Sequence, residues 1–575
     1  MFILGIFGGQ GPNPSAALLN GDKLVALGEE ERFCRIKNAP SMLPINSIMY
    51  CLKRAQINLD EVHSINFGWD CPHYIEYQPK FLNEIHAQFD FDDQGYNKLH
   101  EKKLLTNLHP KMIVDSLKFS LAKFGQKLDP NKFFFHNHHE CHAASTFYAS
   151  NFNKALIFTI DGSGEENCTG EWIAKNGEMK PYKFHTLPNT LGGYYGTFTE
   201  FLGFKSDSEE GKLMGLAPYG KYSDYFQKKL SNILYYNDKE NSYIINPKYR
   251  YFEKRTYNSK FTDLVIDLFG KPRLVGEEIT EYHKNLAFNV QFLLEKIVSN
   301  LIRDRIKKFN IKNVCLAGGV AMNCKMNGVI SEIKELKSLY VQPASSDNGT
   351  ALGAALIASK KLNYKPSNIM KHAYFGNEYK DDQILEAILE SKLKFEKNVN
   401  FFNKIARYLY QGKIIALFQG RSEIGARSLG NRSILANPLI PDIKNKLNLE
   451  VKHREAWRPF CPSFTSESFK FYFGHNKPAD YMIIAYYIKK KFISLFPSAV
   501  HIDGSVRPQS VKKETNALFH SLIEEFGKLS GHPVLINTSF NIQGEPIVET
   551  PRDALRCFGG TGIDVLVIGN YILEK

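Results

Sequence analysis

Two histidines of the run HNHHECHAASTFYAS, His138 and His142, stand four residues apart. If the run is helical, both lie on one face a turn apart, a spacing that lets two imidazoles hold one metal ion. An isolated pair of this kind is more often two ordinary core or surface histidines, so further ligands are needed. Asp161 ends the apolar run ALIFTI and opens DGSG, where Gly162 and its small neighbours let backbone amides approach an oxygen-rich ligand. Asp347 lies in ASSDNGT, between LYVQP and the small-residue stretch ALGAAL. Two imidazoles and two carboxylates suit a divalent transition metal such as iron, manganese or zinc, with room for a substrate oxygen. For Asp347 the alternative is a plain helix N-cap together with Asn348.

The last third of the chain is rich in cations. GRSEIGARSLGNRSIL sets Arg421, Arg427 and Arg432 among glycines and serines, and VKHREAWRPFCPS adds Lys452, Arg454 and Arg458. In turn-rich segments such cations repel one another unless an anion sits between them, and phosphate is the natural occupant. Arg507 in DGSVRPQSV, and Ser539 and Asn541 in LINTSFN, extend the set. The alternative is a solvated basic face, but interleaving with Trp457, Pro459 and Phe460 favours a lined site. Two weaker signals lie upstream. LAGGVAMN places Gly318, Gly319 and Asn323 in a strand, glycine turn and helix order that can cradle a nucleotide phosphate or ribose. EGKLMGLAPYG reads as a glycine-punctuated loop around Lys212, either a structural turn or an anion-contacting loop.

These residues must be positioned by a layered α/β fold. Short β-rich runs (FILGIF, KLVALG, SINFGW, ALIFTI, NVCLAG, LYVQP) alternate with amphipathic stretches, and residues 285–305 carry an apolar helical stripe. A polar linker over 361–372 separates a first domain, 1–360, from a second, 373–575, with KIIALFQG, VLIN and DVLVIGN as strands. The 575 residues, 43% hydrophobic and 23% charged, describe a folded multidomain protein. No apolar run reaches the length of a membrane span and the start lacks a signal-peptide pattern, so a cytoplasmic location is expected. Nine scattered cysteines without a CxxC pair exclude zinc fingers and disulfide frameworks. The net charge of +13 comes from dispersed basic residues, so nucleic acid is not expected as a partner.

HHECHAAS, DGSGE, EGKLMGLAPYG, GGVAMN, SDNGTALGAAL, GARSLGNRSIL, KHREAWRPFCPS and NTSFN follow in the order of another set of sequences. On these motifs the chain resembles the carbamoyltransferases of the NodU, CmcH and tobramycin O-carbamoyltransferase type. The resemblance covers nearly the whole chain. It implies an N-terminal actin-like ATPase (ASKHA, TsaD-like) domain followed by a C-terminal YrdC-like α/β domain. It further implies that the second domain makes carbamoyl adenylate from ATP, with magnesium, and carbamoyl phosphate. The first then passes the carbamoyl group to a hydroxyl of a sugar or natural-product acceptor. By motif, His138, His142, Asp161 and Asp347 look like ligands of one divalent metal, with iron(II) the ion implied. Arg427, Arg432, Lys452, Arg458, Arg507 and Ser539 look like the adenylate-forming site. Lys37, in EERFCRIKN, sits where the family has a lysine near the transfer site.

One departure stands out. The family's first turn carries a His-Asp pair, as in GHDASAAL, whereas here GPNPSAAL places Pro12 and Asn13. If the missing histidine is the acceptor's base, transfer is slowed. The rival readings are a tRNA threonylcarbamoyl-type modification enzyme and a nucleotide-binding module with decayed activity; a metallopeptidase is disfavoured because HExxH is absent. An unstable intermediate passed between sites favours closely packed domains and is compatible with a homodimer. The segment from about Pro366 to Lys575 is expected to form the adenylate by itself.

Overall fold

The computed structural model describes residues 1–88, 106–250, 260–398 and 401–575. They divide into two compact units. The first comprises Met1–Glu30 and Asn38–Met370; the second comprises Lys371–Lys575 together with Glu31–Lys37. The expected first domain, 1–360, includes residues 31–37, which here group with the second unit.

The first unit is built twice from one pattern. Strands β1 (Phe2–Phe7), β2 (Ser15–Asn20) and β3 (Lys23–Glu29) form an antiparallel meander, and β4 (Ser64–Phe67) and β5 (Phe133–Phe135) add to β1 in parallel, in the order β3-β2-β1-β4-β5. Strands β6 (Lys154–Ile160), β7 (Asn167–Lys175), β8 (Glu178–Thr186), β9 (Asn313–Ala317) and β10 (Ser338–Val341) repeat the order and directions as β10-β9-β6-β7-β8. The duplication is invisible in the sequence because the helical insertions between equivalent strands differ.

Three helices set the site. Helix α1 (His138–Phe147) is N-capped by Asn137, whose side chain accepts from the Glu140 amide at 3.0 Å. Helix α2 (Glu281–Phe309) exceeds the expected 285–305 and buries Leu286, Val290, Leu294, Ile297 and Leu301. Helix α3 (Asn348–Lys361) owes its position to small residues. A Cβ added at Gly5 of β1 would stand 1.8 Å from the Ala351 carbonyl oxygen, and one at Gly353 would stand 1.8 Å from that of Cys141 in α1. Glycine therefore lets α3 touch a strand on one side and the histidine helix on the other.

The second unit is built on an eight-stranded mixed sheet. Its strands are β11 (Glu396–Lys397), β12 (Ile415–Phe418), β13 (Arg432–Ala436), β14 (Cys461–Thr465), β15 (Gln509–Val511), β16 (Val534–Ser539), β17 (Val565–Ile568) and β18 (Tyr571–Glu574), ordered β11-β18-β17-β12-β13-β16-β14-β15. Helices α4 (Phe402–Tyr410) and α5 (Ala517–Ser530) bury Ile405, Leu409, Phe519, Leu522 and Phe526 against Leu417, Leu435, Leu535 and Val567 of the sheet. The segment Glu31–Lys37 is anchored here by two arginines. Arg32 Nη2 donates to the Gly425 carbonyl at 2.8 Å, and Arg35 donates to the carbonyls of Ile547 (2.6 Å) and Pro546 (3.0 Å). Among the described residues no helix is long and apolar enough to cross a membrane.

A candidate metal centre and a cation cluster

In the first unit His138, His142, Asp161 and Asp347 converge, each offering one ligand atom within 4.8 Å of the others. His138 Nε2 and His142 Nε2 are 3.1 Å apart. Asp161 Oδ2 lies 3.0 Å from His142 Nε2, and Asp347 Oδ1 lies 3.7 Å from His138 Nε2. Both histidines are fully buried. Two nitrogens bound at about 2.1 Å with a right angle between them would stand about 3.0 Å apart, so the pair is spaced for one ion. His138 Nδ1 sits 3.0 Å from the Gly68 carbonyl, to which it donates, leaving the Nε2 lone pair facing the cluster. His142 Nδ1 is buried without a partner, so this ring is engaged only on its Nε2 side. Two facing imidazole nitrogens flanked by two carboxylates are satisfied by a shared proton or by a cation, and the donor set fits a divalent transition metal.

The backbone holds the carboxylates in place. Asp161 Oδ1 accepts from the Gly162 amide at 2.7 Å and Oδ2 from the Gly319 amide at 3.0 Å. Gly318, at φ +93°, could not carry a side chain: its Cβ would meet the Ile160 carbonyl oxygen at 2.3 Å. Asp347 occupies the N-cap position of α3 but makes no capping hydrogen bond; its side chain turns to the cluster instead. Glu165, 1% exposed, accepts from the Asp70 amide (2.7 Å), the His138 amide (3.0 Å) and Asn137 Nδ2 (2.9 Å), tying the start of α1 to the loop that carries Gly68.

Without an ion the cluster stores a proton. Burial works to lower the His138 pKa, but Asp347, Asp161 and Glu165 outweigh it and raise the value to about 9. Burial lowers that of His142, opposed by Asp161. The histidines hold the Asp161 carboxyl well below the usual carboxylate range even though its burial acts in the opposite direction. His139 takes no part. Its Nδ1 lies 2.7 Å from Thr159 Oγ1 and its Nε2 2.9 Å from the Asn167 carbonyl, and burial, reinforced by His138 and His142, lowers its pKa to about 3.

The first turn borders this cluster. A Cβ at Gly11 would lie 3.3 Å from Asp347 Oδ2, and Asn13, at φ +65°, donates from Nδ2 to Ser346 Oγ at 3.3 Å. Asn323 is committed elsewhere: it N-caps the following helix through the Met326 amide (3.0 Å) and exchanges two hydrogen bonds with Gln291 (2.9 and 3.0 Å). EGKLMGLAPYG is not a loop. Glu210–Leu216 is helical, because its glycines are outnumbered by leucine, methionine and lysine, and Lys212 pairs with Glu209 at 2.7 Å.

The second unit gathers the cations. Lys452 Nζ, buried, donates to Asn541 Oδ1 (2.6 Å), the Asn541 carbonyl (2.9 Å) and Ser539 Oγ (3.2 Å). Burial depresses its pKa well below that of an ordinary lysine, and Arg454, Arg458 and Lys37 repel it further. Burial, then Arg458, with Arg507 adding to them, brings Arg454 down to about 9. Arg507 Nε lies 3.0 Å from Cys461 Sγ, and Lys37 Nζ 3.4 Å from the Glu31 carboxylate. Lys37, Lys452, Arg454, Arg458 and Arg507 thus share one electrostatic neighbourhood that an anion would relieve. Arg427 is half-buried in the preceding loop, which Glu423 shapes by accepting from the amides of Leu429 (2.7 Å), Asn431 (2.8 Å) and Arg432 (3.1 Å) through one oxygen.

Arg432 departs from its expected role. It is fully buried, stacks over Phe418 at 3.7 Å and donates to the carbonyls of Gln419 (2.6 Å), Asn431 (3.0 Å), Gly420 (3.1 Å) and Asn377 (3.3 Å), so its guanidinium braces the loop. Residue type and a loop position could not distinguish this brace from a ligand-facing arginine. Arg32, Arg35, Glu165 and Glu423 escaped sequence reading because their partners lie far along the chain; the clustered charges of EERFCRIKN were the available signal.

The family profile "Carbamoyltransferase N-terminus" matches residues 4–356, and "Carbamoyltransferase C-terminus" matches 406–575. The chain belongs to the carbamoyltransferase family. This carbamoyltransferase is 32% identical to nodulation protein NolNO of Sinorhizobium fredii, over 98% of this chain and 78% of that protein. It is 28% identical to the 3'-hydroxymethylcephem-O-carbamoyltransferase of Amycolatopsis lactamdurans, over 64% of this chain and 65% of that one. Among solved structures it is similar to component A of the (R)-2-hydroxyglutaryl-CoA dehydratase of Acidaminococcus fermentans, at 15% identity and a TM-score of 0.32, over 63% of this chain and 99% of that one.

Proposed function

We propose that this carbamoyltransferase forms carbamoyl adenylate from ATP and carbamoyl phosphate in a YrdC-like second unit and transfers the carbamoyl group to an acceptor hydroxyl in an actin-like first unit. The observation that carries the division of labour is that each unit holds one chemically distinct site. The first holds two imidazoles and two carboxylates spaced for an ion; the second holds five mutually repelling cations beside Ser539 and Asn541.

In the second unit water cleaves carbamoyl phosphate to carbamate and inorganic phosphate; a carbamate oxygen then attacks the α-phosphorus of ATP, and the bond to the β-phosphate breaks to give carbamoyl adenylate and pyrophosphate. Arg458, Arg507 and Arg454 neutralise the developing charge on the phosphate oxygens, and Lys452, fixed by Ser539 and Asn541, orients them. Lys37 enters this set through the segment that Arg32 and Arg35 anchor. In the first unit the acceptor oxygen attacks the carbamoyl carbon, the bond to AMP breaks, and the acceptor proton passes to a base. His138, His142, Asp161 and Asp347 would hold a divalent metal, iron(II) being our assignment. When bound, it supplies Lewis-acid polarisation of the carbamoyl oxygen. Glu165 and the Gly68 carbonyl keep His138 oriented, and the burial of both histidines excludes water from the carbonyl. The acceptor is a hydroxyl of a sugar or natural product.

The test measures pyrophosphate release from ATP and carbamoyl phosphate by the full chain. Arg458→Ala should abolish it and His142→Ala should leave it running. Release that depends on His142 but not on Arg458 would contradict the assignment.

A further inference from the structure

Four large apolar side chains of the second unit project from one basic face. Phe471, on the helix Ser466–Phe473, is 53% exposed, and Tyr487, Ile493 and Ile502 are 64%, 38% and 68% exposed. The segment that carries the last three also holds the chain's one run of three consecutive lysines, Lys489, Lys490 and Lys491. None of these residues belongs to the metal centre or to the cation cluster.

Local packing gathers them. The Phe471 ring lies 5.1 Å from that of the buried Phe492, and Lys489 Nζ and Lys491 Nζ stand 6.0 and 5.3 Å from its centroid. Lys489 Nζ also donates to the Phe471 carbonyl at 2.7 Å, which ties the lysine run to the end of that helix. The two-residue strands Tyr486–Tyr487 and Ser505–Val506 pair antiparallel with Tyr487 opposite Ser505, so Tyr487 stands beside the turn that carries Ile502. Ile493 reaches the same turn: a Cβ added at Gly504 would stand 3.3 Å from its Cδ1. Phe492 thus anchors the segment from within, while Lys491 and Ile493 on either side of it are exposed.

The charge on this face is mainly positive. Lys470 joins the three consecutive lysines, and all four are exposed. The carboxylates nearest in sequence are engaged: Glu467 lies 2.9 Å from His520 Nε2, Asp480 accepts from Lys512 Nζ at 2.9 Å, and Asp503 accepts from the Ser505 amide (3.0 Å) and hydroxyl (2.6 Å). Such a face complements an anionic partner that also accepts apolar tips. A protein partner would need a separate pocket for each protruding side chain, whereas a bilayer receives each one independently, with lysine stems lying along the apolar surface and their ammonium groups among the phosphates. We propose that this face docks on a membrane surface containing anionic lipid. Phe471, Tyr487, Ile493 and Ile502 enter the headgroup region, and Lys470, Lys489, Lys490 and Lys491 meet the lipid phosphates.

Co-sedimentation of the full chain with vesicles tests the proposal, using phosphatidylcholine alone and phosphatidylcholine with about 30% phosphatidylserine. Binding to the mixed vesicles should exceed binding to phosphatidylcholine by roughly tenfold or more and should weaken as salt is raised. Lys490→Glu combined with Lys491→Glu should lower the affinity by roughly tenfold. Because a net charge of +13 draws the whole protein toward anionic lipid, Ile493→Ser combined with Ile502→Ser is the second variant. It leaves every charge in place, and its affinity should fall severalfold with the unfolding midpoint unchanged, since both side chains are exposed. No binding to the mixed vesicles, equal binding to both compositions, or full binding in either double variant would overturn the proposal. A dimer in sedimentation velocity that both variants dissociate would overturn it as well, by assigning the face to a second copy of the chain.

Discussion

Gly353 and Cys141 touch through their backbones: a single methyl group on Gly353 would stand 1.8 Å from the Cys141 carbonyl oxygen. This contact brings α3, with Asp347 at its head, against α1, with His138 and His142. Gly353→Ala should therefore separate the helices, costing about 1–3 kcal/mol in stability and lowering metal content together with it. Calorimetry and elemental analysis of the same sample check both.

Metal content should report the ligand set directly. The purified chain should hold about one divalent ion, His142→Ala should lose it with the fold intact, and full occupancy in the His138→Ala, His142→Ala double variant would remove the assignment.

The stored proton gives the centre a pH dependence. His138 has its pKa raised to about 9, above the ordinary 6.5. In the ion-free protein its protonated form contributes stability that is fully present below about pH 6.5 and is lost as pH rises through 9. A metal must displace that proton, so its apparent affinity should rise about tenfold per pH unit from 7 to 9, with about one proton released per ion. Titration calorimetry in buffers of different ionisation enthalpy counts the proton, and an affinity flat across this range would show that His138 is not the site of storage.

The cation cluster should behave in the opposite sense. Burial depresses the Lys452 pKa well below its ordinary value, so an entering polyphosphate restores its charge. ATP or pyrophosphate binding at pH 9 should take up protons, tighten as pH falls, and raise the unfolding midpoint. Arg458→Ala should weaken binding by roughly tenfold or more, at about 1.5–3 kcal/mol for a charge-assisted contact.

The altered first turn offers a gain-of-function test. If the family's histidine is the acceptor's base, Pro12→His with Asn13→Asp should speed transfer from preformed carbamoyl adenylate by about two to four orders of magnitude and flatten its dependence on hydroxide. His139 is not available for this role, since both its ring nitrogens are occupied within the core. An unchanged pH–rate profile in the restored variant would move the base elsewhere.

Where residue type and local spacing determine the outcome, the sequence was a sufficient guide. The i, i+4 histidines, the strand-ending Asp161 and the strands FILGIF, ALIFTI and NVCLAG are local properties, and the structure contains them. Asp347 was ambiguous because an aspartate before a small-residue helix satisfies both the capping and the ligand reading; only its missing capping bond separates them. Strands β7 and β8 are hard to read because polar residues break their alternation, whereas β2 (SAALLN) and β5 (FFF) are short apolar runs with no alternation to read. Arg432 shows the same limit from the other side, since its burial under β12 depends on a hairpin that no local pattern announces.

The excursion of Glu31–Lys37 into the second unit has a genealogical consequence. The chain contributes to that unit in two instalments some three hundred residues apart, so a genetic exchange at 370/371 would pair each second unit with a stranger's Arg32, Arg35 and Lys37. A fragment beginning near Pro366 would lack them altogether, and its adenylate chemistry should depend on supplying that short peptide. An exchange between two relatives would leave the second unit intact only where both agree over these seven residues.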